Sequence, residues 1–183
     1  MDRRQRKTRR AIFSAFMELL SEKEFAQITV AEILARADVG RATFYAHFET
    51  KDFLLKELCE ELFRHIFDAA DNHRSQSPGL FDCDAPDSVF LHLLQHLQKN
   101  DNHILELLSC RNNELFLTYF KRGLKTLAAS QLPLFEARKS EKLPEDFWVD
   151  HIASTFTETL RWWLANGRRE SAETIAEYFY LAV

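Results

Sequence analysis

Four glycines and four prolines in 183 residues set the tightest limit on what this chain can become. A sandwich or barrel of short strands needs turn chemistry about every dozen residues, and eight turn-formers do not supply it. Sixteen Phe and three Trp exclude a solvated tail, which has no use for large apolar rings. Apolar residues make up 46% of the chain, enough to bury a core, and the length amounts to about one to one and a half average domains. The expected fold is all-α.

Cys59, Cys83 and Cys110 are an odd set without CxxC spacing, which fits reduced thiols and a cytoplasmic location. No stretch approaches the roughly 18 apolar residues of a membrane span. The amino-terminal residues are basic and polar, unlike the apolar segment that secretion requires. The net charge of -4 hides an asymmetry. Residues 1–51 carry ten Lys plus Arg against seven Asp plus Glu, or +3, which leaves fourteen against twenty-one, or -7, for the remainder. Positions 3 to 10 read Arg-Arg-Gln-Arg-Lys-Thr-Arg-Arg, six cations in eight residues. Such an arm on an otherwise acidic chain is either drawn to a polyanion or a solvated, frayed terminus, and the residues after it must decide.

From Lys7 to Lys23, Ile12, Phe16, Leu19 and Leu20 recur at the spacing of one helix face, with Phe13 beside them. Phe25 to Ile28 breaks that pattern. Thr29 then opens a second helix, with Glu32 placed to complete a capping box and Val30, Ile33, Leu34 and Ala37 as its buried stripe. Asp38-Val39-Gly40 interrupts it, and Gly40 is expected to take backbone angles closed to other residues. A short third helix from about Arg41 to Phe48 points Phe44 and Phe48 inward. Thr50 caps a longer fourth helix, from Lys51 to about Asn72, carried by Phe53, Leu54, Leu58, Leu62, Ile66 and Ala69. Ser75 to Gly79, with Asp82, Asp84 and Asp87, marks a loop. Val89–Leu97, Ile104–Leu108 and Leu115–Leu127 are apolar-rich helical segments. Ser130 to Pro144 reads as an ordered excursion or a mobile loop. A long helix follows from Glu145 to about Asn166, and Ser171 caps a last helix that begins at Ala172.

Helix, short turn and short helix over about 28–48, covered by a preceding helix, form a helix-turn-helix, whose second helix enters the major groove of DNA. The side chains suit that task. Arg41 has the fork of donors that grips guanine O6 and N7 or a phosphate, and Thr43 can donate, accept, or lay its methyl on thymine. Tyr45 and His47 can reach phosphate oxygens, and Lys51 adds a cation beside the free N–H groups of a helix start.

These residues resemble the TetR family of transcription regulators. The likeness rests on Ile28-Thr29-Val30, Ile33, Ala37, the run Val39-Gly40-Arg41-Ala42-Thr43-Phe44-Tyr45-Ala46-His47-Phe48, Lys51 and Leu54-Leu55, in register over roughly residues 7 to 58. The family often has Ser or Thr at position 40, so Gly40 removes a hydroxyl that can reach phosphate. The resemblance implies a DNA-binding domain at 1–50 and a helical ligand-binding and dimerisation domain at 51–183. It implies double-stranded operator DNA bound by Thr29, Gly40, Arg41, Ala42, Thr43, Tyr45, His47 and Lys51, with Arg3, Arg4, Arg6 and Lys7 as a backbone-gripping arm. A homodimer on a palindromic operator is implied, most often acting as a repressor, with an unknown small-molecule effector. Candidate pocket residues are Phe63, Phe67, Phe90, His96, Phe116 and Phe120, although a Phe-rich core reads the same way.

The long helix is apolar on two faces: Ile152, Phe156, Leu160 and Trp163 form one row, and Trp148, Thr155, Thr159 and Trp162 another. Two such faces call for two partners. The resemblance makes Phe156, Trp162 and Trp163, with Ile175 and Phe179, the expected dimer interface; the alternative is a helix buried wholly within the monomer. His92 and His96 stand at i, i+4, but spacing offers no third ligand, so no metal site is expected. No cofactor is expected, and the chain lacks a phosphate loop, a nucleophile elbow and a paired metal-binding carboxylate motif, so an enzyme is not expected either. A different class of function remains open: a helical co-regulator or activator that works through a partner protein at the carboxyl-terminal domain, with 73–88 and 130–144 as candidate surfaces.

Overall fold

Local chemistry at the ends of each apolar stripe decides where the helices start and stop. The structure is a computed structural model that describes residues 3–71, 88–99, 108 and 114–183, and among these it contains helices and no strand. Helix α1 (Arg3–Glu22) buries Ile12, Phe13, Phe16, Leu19 and Leu20. It begins ahead of the expected Lys7, so the cationic segment is helical rather than a free arm; Arg, Lys and Gln are good helix formers. A 3-10 turn at Phe25–Gln27 leads to α2 (Val30–Ala37). Both halves of the capping box form: Glu32 N–H donates to Thr29 Oγ1 at 3.3 Å, and Thr29 N–H donates to the Glu32 carboxylate at 2.9 Å.

The left-handed backbone after α2 falls on Asp38, with φ 52°, and its N–H closes the helix on Leu34 O. Gly40 has φ -74° and ψ 156°, which any residue can adopt, so the expectation of special angles there is corrected. Helix α3 (Arg41–Tyr45) is shorter than expected because the chain turns at Phe44, whose carbonyl accepts from both His47 and Phe48 N–H at 2.8 Å. Phe44 and Phe48 are both buried as the spacing predicts. Thr50 Oγ1 accepts from Phe53 N–H at 3.0 Å and caps α4 (Lys51–Asp71).

The carboxyl-terminal half contains α5 (Val89–Lys99), α6 (Glu114–Ser130), α7 (Glu145–Ala165) and α8 (Ala172–Ala182). Helix α4 packs on α5 and α6, α6 on α7, and α8 closes against α5 and α7. The expected excursion after Ser130 is ordered: a 3-10 helix at Leu132–Arg138 buries Phe135 against Phe90, Phe179 and Tyr180. Asn166 caps α7 as expected, and Gly167 follows it at φ 71°. One hydrophobic cluster runs from Ile12 to Phe179. The expected loop at 73–87, the segment 104–107, Cys83 and Cys110 lie outside the described residues.

Candidate nucleic-acid interface

Helix α3 is held by one buried ring and presents nearly everything else. Phe44 is fully buried, whereas Arg41, Ala42, Thr43 and Tyr45 are exposed and His47 is half-buried. Tyr45 is 55% exposed, an unusual place for a ring whose core contact among the described residues is the edge of Phe44. Among the described residues the Arg41 guanidinium has no ion pair. Arg3, Arg4, Arg6 and Lys7 are exposed along the first turns of α1.

The scaffold beneath is cross-braced. Arg36 of α2 donates to Glu22 at the end of α1 at 2.9 Å, and Lys23 pairs with Glu32. Arg9 donates to Glu57 of α4 at 2.8 Å, with its guanidinium 4.9 Å from the Phe48 ring centre. The Lys23 link and the two Thr29 bonds hold the Glu32 carboxyl down to about 2.

Two expected phosphate-binding groups are already engaged. Lys51 does not point its cation outward as its place at the helix start suggests: its ammonium donates to Phe25 O at 2.7 Å and Ile28 O at 2.8 Å and lies 4.2 Å from the Phe25 ring centre. Burial lowers its pKa, with Asp52 opposing. It therefore ties the start of α4 to the turn before α2, because carbonyls outside a helix need a donor. The Thr29 hydroxyl is likewise committed to both sides of the capping box.

The expected pocket residues divide. Phe116 and Phe120 stack on one another, Phe63 packs against Phe120, and all three are buried. Phe90 is not with them; it packs against Phe156 and Phe179 in the second aromatic group. Phe67 is half-buried. His96 is buried beside His92, and both meet His65, which comes from α4. This corrects the expectation that no third histidine is at hand: residues 27 and 31 positions apart are brought together by the α4–α5 crossing. Burial, with help from His65, pushes His92 down to about 4, so it is neutral near pH 7. Cys59 is buried, which pushes its thiol up to about 12 and leaves it inert.

The expected dimer residues are mostly internal. Phe156, Trp163, Ile175 and Phe179 are fully buried within the monomer, because the row on α7 that holds Phe156 and Trp163 faces the core and the apolar side of α8, which holds Ile175 and Phe179. Trp162 alone of the five is open, at 46% exposed, next to Tyr178 of α8 with ring centres 6.0 Å apart. They border a groove of about 460 Å³ with Thr155, Glu158, Thr159 and Ala182.

Comparison with known proteins accounts for both halves of this arrangement. Residues 12–58 match the family model described as "Bacterial regulatory proteins, tetR family", and residues 84–183 match that of a "Transcriptional regulator C-terminal region". A solved TetR transcriptional regulator from Streptococcus agalactiae 2603V is 35% identical, with a TM-score of 0.70, over 97% of this chain and 94% of that one. The regulator FadR from Bacillus subtilis, solved with stearoyl-CoA, shares the fold at 18% identity and a TM-score of 0.59, over 94% of this chain and 96% of its own. Among curated proteins, the HTH-type transcriptional regulator YxbF of Bacillus subtilis is 38% identical over 71 residues, 36% of this chain and 19% of its own length. EthR of Mycolicibacterium smegmatis is 32% identical over 69 residues, 38% of this chain and 32% of its own. The chain thus spans about a fifth to a third of the length of these curated relatives. The chain belongs to the TetR family of helix-turn-helix transcription regulators.

Proposed function

We propose that the chain acts as a homodimer that reads a palindromic operator with α3 and represses transcription until a small molecule binds the carboxyl-terminal helices. The observation that carries this reading is the exposed row Arg41, Ala42, Thr43 and Tyr45 on a helix anchored by buried Phe44. Arg41, Ala42 and Thr43 read base edges, while Tyr45, His47 and the cations Arg3, Arg4, Arg6 and Lys7 meet phosphates. Those cations stand at the positive end of the α1 dipole, where they repel the helix unless an anion neutralises them. Thr29, Gly40 and Lys51 support this surface mainly through backbone placement. The second copy packs on the exposed α7–α8 face around Trp162. The division into a reading head at 1–50 and an effector-binding body at 51–183 follows, with α4 joining them.

The test is selection of bound duplexes from a random pool by the purified protein. The expected product is a palindrome whose half-sites are about 34–36 Å apart or a multiple of that. Recovery of unrelated sequences, or no binding in dilute salt, overturns the reading.

A further inference from the structure

We propose that His65, His92 and His96 form a binding site for a zinc-like divalent transition metal that clips α4 to α5. The coordinating nitrogens of the three rings all lie within 4.8 Å of one another. His65 Nε2 and His96 Nε2 are 2.9 Å apart, and the ring centres are separated by 4.6 to 5.2 Å. Nitrogens bound tetrahedrally at about 2.0–2.1 Å from zinc stand roughly 3.3 Å from each other. Small ring rotations bring the trio to that spacing. His65 and His96 now share a proton; coordination needs both lone pairs, so the ring that carries it takes the tautomer with its proton on the other nitrogen.

The donor set selects the class of metal. Among the described residues the set is three imidazoles and no carboxylate, which suits zinc, copper, nickel or iron and disfavours magnesium and calcium, which need oxygen. The surroundings fit as well. His92 and His96 are 2% and 3% exposed on a helix whose neighbours Leu93, Leu94 and Leu97 are fully buried. Polar rings in such a setting need strong partners. The three ligands found among the described residues leave one position of a tetrahedral shell for a further donor, water or an exchangeable anion.

The site also has mechanical reach. His65 lies 14 residues along α4 from Lys51, roughly 21 Å at 1.5 Å per residue. A metal that fixes α4 against α5 therefore fixes the helix that follows α3 directly. Resting on the DNA reading above, this makes the metal the effector or the anchor of one.

The experiment uses the full chain, freed of metal by chelator and dialysis. Titration with zinc is followed by calorimetry, and titration with cobalt(II) by its visible absorption. One metal per chain is expected, with cobalt bands of a nitrogen-rich, four- or five-coordinate site. His92→Gln and the more exposed His65→Gln should each weaken zinc binding by about 100-fold or more, since even loss of a supporting partner costs 10–100-fold. His151→Gln, on α7, should leave binding unchanged. Circular dichroism identifies any variant that unfolds, and either glutamine variant alone decides the matter. Absence of a cobalt spectrum, or equal zinc affinity in folded His65→Gln, overturns the site. One metal per chain with unchanged operator affinity overturns the effector role alone, and loss of all sequence-selective DNA binding strikes the function reading alone.

Discussion

The backbone of Gly123 on α6 lies flush against the ring of Phe63 on α4, so that a methyl group at position 123 would overlap the ring. The two residues lie where α4 and α6 pack against each other. Gly123→Ala gains up to about 1 kcal/mol in helix propensity, but overpacking a rigid ring costs about 1–3 kcal/mol. The expected net loss is about 1 kcal/mol, measured by denaturant titration. Phe63→Leu in the same chain should recover part of it, because the two positions are coupled. A stabilised Gly123→Ala protein would mean that Phe63 moves aside freely.

Lys51 gives a second separation of roles. Its ammonium bonds two carbonyls of the segment between α1 and α2, so its removal is felt before any DNA is present. Lys51→Ala should lower the stability of the free protein by about 1–2 kcal/mol, the range for charged hydrogen bonds that are partly open to solvent. DNA affinity should then fall equally for all sequences. An unchanged melting temperature with weaker DNA binding would return Lys51 to the role of a plain phosphate ligand.

Arg41 and Gly40 should behave differently from Lys51. Arg41 is exposed and braces nothing among the described residues, so Arg41→Ala should leave folding intact. It should relax base preference at one position per half-site by about 1–3 kcal/mol, read from competition between operator variants. Gly40 has ordinary angles, and a Cβ there meets only Thr43 Oγ1 at 4.0 Å. Gly40→Ser therefore supplies α3 with a capping oxygen worth roughly a few tenths of a kcal/mol and a hydroxyl for phosphate, and should tighten DNA binding. Equal loss on all sequences for Arg41→Ala would reassign that residue to the backbone.

What could be read in advance was local. Thr29 with Glu32, Phe44 with Phe48 and Thr50 before α4 each act within one helical turn, and sequence spacing alone specifies their geometry. What escaped depends on how helices cross. His65 meets His92 and His96 only because α4 and α5 pack together, and no periodicity carries that information. Lys51 reaches Phe25 and Ile28 across a turn whose direction the sequence leaves open. On α7 two apolar rows were evident, but which one faces the monomer's own core is settled by α8. Residue type points to Gly40 for the left-handed turn, although Asp38 also tolerates that conformation and is the residue that closes α2.

The capping box makes α2 sensitive to acid. Lys23 first, then the Thr29 bonds, hold the Glu32 carboxyl at about 2, against an ordinary 4.5. A folded-state value below the unfolded one contributes stability that is present above pH 4.5 and lost as pH falls toward 2. Melting temperature should therefore decline through that window. Glu32→Gln, which keeps a capping acceptor but does not titrate, should show a shallower decline. Parallel profiles for the two proteins would show that the carboxylate charge contributes nothing.

Trp162 and Trp163 are adjacent and should respond in opposite ways to change. Trp163 is fully buried and its indole N–H donates to Glu170 O at 3.0 Å, so Trp163→Ala should cost about 3–5 kcal/mol of stability. Trp162 stands open beside Tyr178, and Leu181 on the same helix is 80% exposed. Apolar groups clustered in this way are covered in a stable assembly, and aromatic anchors carry most of the energy of such contacts. The double variant Trp162→Ala, Leu181→Glu should keep the helical content of the wild-type protein and sediment as a monomer. It should also lose affinity for a full palindrome while retaining its weaker binding to a half-site. Should this variant remain a dimer with an unchanged dissociation constant, the face around Trp162 is not where two copies meet.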